Sequence, residues 1–143
     1  MSNSFQVTFD AADPGALARF WAAALGYVLQ PPPDGFDSWE DFAADAGMPP
    51  ETWDDLAAAV DPDGTGPRLF FQRVPEGKTA KNRVHLDIHV TEPGMEPADR
   101  RARIAEDVDR LVGLGARRIE DHSDVTGIWT VMQDPEGNEF CVE

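Results

Sequence analysis

Three residues of one short segment have the types and spacing for chemistry: His85, Asp87 and His89 alternate with Leu86, Ile88 and Val90 through Asn82–Val90. An imidazole accepts or donates a proton near neutral pH or ligates a metal, and a carboxylate two residues away can orient it. Alternation with no breaker is the pattern of a half-buried strand. It would turn both imidazoles and the carboxylate to one face and the three aliphatic residues to a layer of helices. A face that polar is either wet or the wall of a pocket. His85 is then a general base, a metal ligand, or a histidine hydrogen-bonded inside a polar cavity. Asp87 either orients an imidazole or pairs with a basic residue such as Arg83 or Arg68. His85 and Asp87 are the catalytic candidates, with His89 farther along the same face as a ligand-binding candidate.

The elements that must position these residues come from a chain long enough for one domain. Its 143 residues are 41% hydrophobic, which suffices for a folded interior. The formal net charge of −15 would repel a phosphate backbone, and the short basic run from Lys78 to Arg83 does not offset it. Nucleic acid and anionic membrane are therefore excluded as partners. Cys141 is the only cysteine, so neither an intrachain disulfide nor a cysteine zinc cluster can form. The Met1 end has no basic and apolar leader and no apolar run is long enough to cross a bilayer, which places the protein in the cytoplasm as an expectation.

Phe5-Gln6-Val7-Thr8-Phe9-Asp10 alternates as the opening segment does. Asp13 then offers an N-cap, Pro14 a first helical residue, and Leu17, Phe20, Trp21 and Leu25 a helical stripe that Gly26 ends. A short strand over Tyr27–Gln30 stops at Pro31-Pro32-Pro33. From Asp34 to Leu56 the character changes to that of an insertion: Ser38 can cap one helix, and Pro49-Pro50-Glu51 can open a second. Trp39, Phe42 and Trp53 there either hold the insert down as a small cluster or stack on a ligand. Ala57–Val60 and Arg68–Arg73 form a hairpin across the turn Asp61-Pro62-Asp63-Gly64. Pro93–Pro97 is a loop, and Ala98–Leu114 carries Ile104, Val108, Leu111 and Val112 at helical spacing. Arg117–Ile119 is a short strand, followed by a polar loop that leaves His122 solvated. Ile128–Gln133 and Glu139–Glu143 close the chain as a hairpin over Asp134-Pro135-Glu136-Gly137.

The chain thus repeats itself, with Leu25-Gly26 matching Leu114-Gly115 and the turn at Asp61 matching the turn at Asp134. The expected fold is α+β: two βαβββ modules in a single domain, 1–76 with the insert 34–56 and 77–143, curling a sheet around a common cavity. The repeat makes Gln6 equivalent to His85 and Phe70 to Cys141. Gln6, Thr8, Phe70, Gln72, His85, Asp87 and Cys141 are the residues expected to line that cavity, with Trp39 and Trp53 as further ligand-binding candidates.

With Phe20-Trp21, Leu25-Gly26-Tyr27, the run Asn82–Val90 and Asp134-Pro135-Glu136-Gly137-Asn138, the chain resembles the vicinal oxygen chelate superfamily. That group includes glyoxalase I, extradiol dioxygenases, fosfomycin-modifying enzymes and bleomycin resistance proteins. Trp39-Glu40 and the run from Gly66 to Glu76 narrow the resemblance to bacterial glyoxalase-like domain proteins. The resemblance implies metal ligands from the first and last strand of each module, at Gln6, Phe70, His85 and Cys141. Phe70 cannot coordinate, and Cys141 stands where a glutamate is usual, supplying a soft and mostly protonated thiol in place of a hard anionic ligand and base. No residue is therefore assigned to a metal, no cofactor is named, and glyoxalase I chemistry is not expected. Cys141 itself is either a buried small hydrophobe or a thiolate activated beside His85.

Three classes of function remain: an enzyme acting on a small oxygenated or electrophilic molecule with His85 as base or sole strong ligand, the resemblance implying a metal-dependent lyase or dioxygenase as its alternative form; a protein that sequesters a small-molecule ligand; and a purely structural dimer subunit. Phe70, Trp39 and Trp53 favour binding of an apolar or aromatic molecule, whereas His85 with Asp87 favours chemistry. The resemblance implies a homodimer.

Overall fold

A computed structural model describes all residues, 1–143, as two compact units, Met1–Gly77 and Lys78–Glu143. In the first unit the chain runs through β1 (Gln6–Ala11), α1 (Pro14–Leu25), β2 (Val28–Leu29), α2 (Trp39–Asp45), a 3₁₀ helix (Pro50–Asp55), β3 (Leu56–Val60) and β4 (Arg68–Arg73). The second runs through β5 (Asp87–Ile88), α3 (Pro97–Gly113), β6 (Arg117–Asp124), β7 (Gly127–Gln133) and β8 (Glu139–Val142). Each unit is a βαβββ module, and the chain is an α+β protein with two four-stranded sheets, ordered β1-β4-β3-β2 and β5-β8-β7-β6.

In the first unit, Asp13 accepts the Ala16 N–H at 3.1 Å and starts α1 at Pro14, and Gly26 ends it at φ 71° in the left-handed region. The helix buries Leu17, Phe20 and Trp21. Phe9 stacks on Phe71 at 5.0 Å and leans on Trp21 at 5.4 Å, so the helix-facing side of the sheet is aromatic. Alternation sends Gln6, Thr8 and Asp10 of β1 and Arg68, Phe70 and Gln72 of β4 to the opposite face, while Leu69 and Phe71 are fully buried. In the second unit, Ile104, Val108 and Leu111 of α3 are buried, as are Met132, Phe140 and Val142 of the sheet. Val112 is 46% exposed, so the apolar stripe of α3 is narrower than its sequence suggests.

The internal repeat extends to the strand register. β1 and β4 run parallel with Thr8 opposite Phe70, and β5 and β8 run parallel with Asp87 opposite Cys141. The two turns are organised alike by the carboxylate of their first residue. Asp61 takes the N–H groups of Asp63, Thr65 and Gly66, and Asp134 takes those of Glu136 and Asn138. In each turn the glycine amide donates to the carbonyl of the leading aspartate, at 3.0 and 2.9 Å.

Three expectations need correction. The strand anticipated over Asn82–Val90 is reduced to Asp87–Ile88. The lone backbone neighbour of β5 in its sheet is β8, whose end bonds Leu86, Ile88 and Val90 and gives the residues before them no strand ladder. The short strand at Arg117 instead runs eight residues to Asp124 and includes His122, which stacks on Trp129 at 5.3 Å. A polar sequence can form such an edge strand because β7 supplies a complete antiparallel partner, with a bulge between Arg118 and Glu120 absorbing the mismatch. The second helix of the insert is a single 3₁₀ stretch, and Leu56 already belongs to β3.

Candidate functional site

Two groups of candidate residues come together, one in each unit. In the second unit, His85 and Asp87 project from the same side of the extended segment, and His85 Nδ1 lies 2.7 Å from Asp87 Oδ1. Cys141 is the cross-strand neighbour of Asp87, and the ligand-type atoms of His85, Asp87 and Cys141 lie within 4.8 Å of one another. With the carboxylate accepting, the imidazole proton sits on Nδ1 and the lone pair on Nε2. Burial pushes the Cys141 thiol up to about 11, and the neighbouring Asp87 and Glu143 charges push in the same direction. The thiol is thus held protonated, not poised as a nucleophile. His89 is not part of this cluster: its imidazole is 74% exposed and lies 3.1 Å from Glu143. Asp87 takes His85 as its partner and neither of the arginines considered from sequence.

The lead-in to His85 is fastened by Glu139 at the start of β8. Its carboxylate accepts the Asn82 N–H at 3.0 Å and pairs with Lys78 at 2.9 Å. Burial alone would raise the pKa of Glu139, but these partners outweigh it and hold the carboxyl at about 2.

In the first unit, the insert, one face of the sheet and the start of α1 line a cavity of about 460 Å³. Trp39, Phe42, Trp53, Leu56 and Phe70 give it an apolar wall, and Gln30 and Arg68 a polar one. The insert is fixed by its own chain: Ser38 caps α2 through the Asp41 N–H, Trp39 Nε1 donates to the Gln30 carbonyl at 2.7 Å, and Trp53 Nε1 donates to the Met48 carbonyl at 3.0 Å. Trp39 and Phe36 each meet Phe42 edge to face. The aromatic insert therefore both holds itself down and walls a cavity. Phe70 is brought to Trp39 and Trp53, as a shared site requires. Gln6 and Thr8 lie on the same sheet face, where Gln6 Nε2 donates to Thr8 Oγ1 at 3.3 Å. Gln72 is held by Asp10 at 2.8 Å and does not line the cavity.

Sequence reasoning missed Arg68 as a site residue. Its Nε donates to Gln30 Oε1 at 2.6 Å, its Nη1 donates to Gln6 Oε1 at 3.0 Å, and its guanidinium lies 5.0 Å from the centre of the Phe70 ring. The available signal was the alternation that puts Arg68 on the face of Phe70 and Gln72.

The four positions that the superfamily uses for a metal do not fit one here. In the first unit Gln6 is occupied and Phe70 is covered by the same guanidinium, which sets a fixed positive charge where a cation would have to bind. In the second, His85, Asp87 and Cys141 cluster within 4.8 Å, but Asp87 already takes His85 Nδ1, and burial with the Asp87 charge holds the Cys141 thiol protonated, which disfavours it as a thiolate ligand.

A two-module α+β fold of this kind, with a covered sheet face, defines a glyoxalase-type domain. The family model described as glyoxalase-like domain matches residues 6–143, and the chain belongs to that family, within the vicinal oxygen chelate superfamily. No curated protein matches the sequence. Among solved structures, the fold is similar to a glyoxalase/bleomycin resistance protein/dioxygenase family enzyme from Burkholderia phytofirmans PsJN. That match has 15% identity and a TM-score of 0.61 over 96% of this chain and 94% of that one. It is also similar to the fosfomycin resistance protein FosX from Listeria monocytogenes, at 10% identity and a TM-score of 0.63 over 100% and 91% of the two chains. A possible glyoxalase from Bacillus cereus matches at 13% identity and a TM-score of 0.61 over 99% and 98%. At these identities the likeness is one of fold. No helix is long and apolar enough to cross a membrane.

Proposed function

We propose that this chain binds a small molecule with an apolar or aromatic body in the cavity of its first unit, without the metal site of glyoxalase I. The observation that carries the reading is the cavity itself. Its volume, about 460 Å³, falls within the range of about 300–1,000 Å³ typical of ligand sites, and its walls are aromatic with a few convergent polar groups. Both tryptophan N–H groups are already satisfied by the chain, so their rings offer hydrocarbon surface and add no unmet polar demand.

The test is a titration with a neutral fused-ring probe, 2-naphthol, followed by tryptophan fluorescence on the intact chain and on Ala58→Phe, which fills the cavity from β3. Saturable binding that is lost in Ala58→Phe, with circular dichroism unchanged, supports the reading. Absence of binding, or binding indifferent to the substitution, refutes it.

The 2.7 Å bond between His85 and Asp87 favours a second reading, in which the second unit contributes a general base to an enzyme of the same superfamily. Asp87 holds the ring so that Nε2 accepts a proton, and no charged thiol competes. A turnover lost in His85→Ala and reduced in Asp87→Asn, with ligand affinity kept, is what this role requires. A homodimer is the assembly we propose, supported by the large exposed apolar residues Val84, Phe5 and Val28, which lie outside the cavity wall. A cytoplasmic location suits the single buried, unpaired thiol.

A further inference from the structure

We propose that the ligand of the first-unit cavity is a monoanion, an aromatic or apolar carboxylate, and that Arg68 receives its charged end; this rests on the binding reading above. Arg68 differs in its partners from the other arginines whose side chains are engaged with side chains of opposite charge. Arg73, Arg103, Arg110 and Arg118 each face an aspartate or glutamate, and Arg100 and Arg117, which bond neutral oxygens, do not line the cavity. Arg68 is half-buried, yet its side-chain partners are two neutral glutamine oxygens and an aromatic ring. In a chain with 27 acidic and 12 basic residues, a guanidinium held with its charge uncompensated is set for an anion supplied from outside.

The geometry supports the same conclusion. Gln30 and Gln6 take Nε and Nη1, fixing the plane of the guanidinium, and the Phe70 ring supports one face of it. Nη2 makes no hydrogen bond, and its N–H groups remain for a carboxylate oxygen. Gln6 and Phe70 occupy the two first-unit positions that the superfamily uses for metal ligands, and here both hold Arg68. A fixed guanidinium thus stands in for the positive charge of an ion as the group that receives ligand oxygen. The other charged groups of the wall set the preferred ligand charge. Arg19 is exposed and adds attraction, whereas Glu40 and Asp54, also exposed, add repulsion that grows with ligand charge. That balance, within a strongly acidic chain, favours a carboxylate over a phosphate dianion.

The test compares 2-naphthoate, 2-naphthamide and 2-naphthyl phosphate on the intact chain by titration calorimetry. The expected result is that naphthoate binds at least about tenfold tighter than the amide, the size of one charge-assisted contact, and tighter than the phosphate. In Arg68→Met the naphthoate preference should disappear while the amide keeps its affinity. Should Arg68→Met fail to fold by circular dichroism, Arg68→Lys, which keeps the charge but loses the fork, should retain part of the preference and lose it with added salt. Equal binding of naphthoate and amide overturns the proposal while the cavity reading stands. A preference that survives in Arg68→Met, or a tighter phosphate, also overturns it. If no naphthalene probe binds, the cavity reading falls and the proposal with it.

Discussion

Glu139→Gln should cost stability at neutral pH and almost none in acid. The carboxylate is held at about 2, against an ordinary value of 4.5. That displacement corresponds to about 3 kcal/mol in favour of the folded state as an upper bound, because 16% of the side chain remains in water. The sign follows from proton binding. The folded chain takes up the Glu139 proton less readily than the unfolded chain, so the contribution is complete above about pH 5. It falls by roughly 2 kcal/mol by pH 3 and is spent near pH 2. Glutamine does not titrate and keeps an oxygen for the Asn82 N–H, but it cannot pair with Lys78. Urea unfolding of both proteins at pH 7, 5 and 3 should therefore show a gap of about 2 kcal/mol at pH 7 that closes as pH falls. Comparing the two proteins at each pH cancels the titration of the other acidic residues. Hydrogen exchange at the Cys141 amide, which bonds the Leu86 carbonyl at 3.0 Å, should quicken in the variant at pH 7, because Glu139 fastens the lead-in to that segment. A gap that is the same at pH 7 and pH 3, or absent at pH 7, would refute the reasoning.

Cys141 should be nearly inert: with its thiol pushed up to about 11, only about three in ten thousand molecules carry the thiolate at pH 7.5. Iodoacetamide should label it far more slowly in the native protein than in urea, and equal rates would contradict the buried, protonated assignment. Asp134→Ala removes the acceptor of two backbone N–H groups and of the Asn138 side chain from a residue 3% exposed, so it should lower stability by about 2–3 kcal/mol. A change under about 0.5 kcal/mol would mean that water replaces those bonds without penalty. Protein purified without added metal should carry no stoichiometric metal on elemental analysis, and should not turn over methylglyoxal and glutathione with nickel or zinc present. Stoichiometric metal with turnover that vanishes in His85→Ala would restore a metal-dependent lyase.

The features legible in the sequence are those whose partners lie within a few residues. Asp13 and Ser38 cap helices through amides three residues on, and Asp61 and Asp134 organise turns through amides two to five residues on. Alternation of apolar and polar residues assigns Gln6, Thr8 and Phe70 to one face because side-chain direction along a strand is fixed by its pleat. The repeat of these local signals is enough to imply two modules and the equivalence of Gln6 with His85 and of Phe70 with Cys141, whereas the parallel pairing that sets Thr8 opposite Phe70 and Asp87 opposite Cys141 depends on strands far apart in the chain.

Tertiary structure decided what depends on distant partners. β6 reads as a strand only over Arg117–Ile119, and the polar run from Glu120 to Asp124 reads as a loop; β7 supplies the ladder that extends the strand through it. The partners of Arg68 lie 38 and 62 residues away in sequence, at Gln30 and Gln6, so no local pattern distinguishes this arginine from one bound for a carboxylate. The same holds for Trp39 and Trp53, whose residue types allow a packing cluster as readily as a ligand wall. Long-range packing placed them on a cavity with Phe70, and a sequence specifies that only through the free energy of the whole fold.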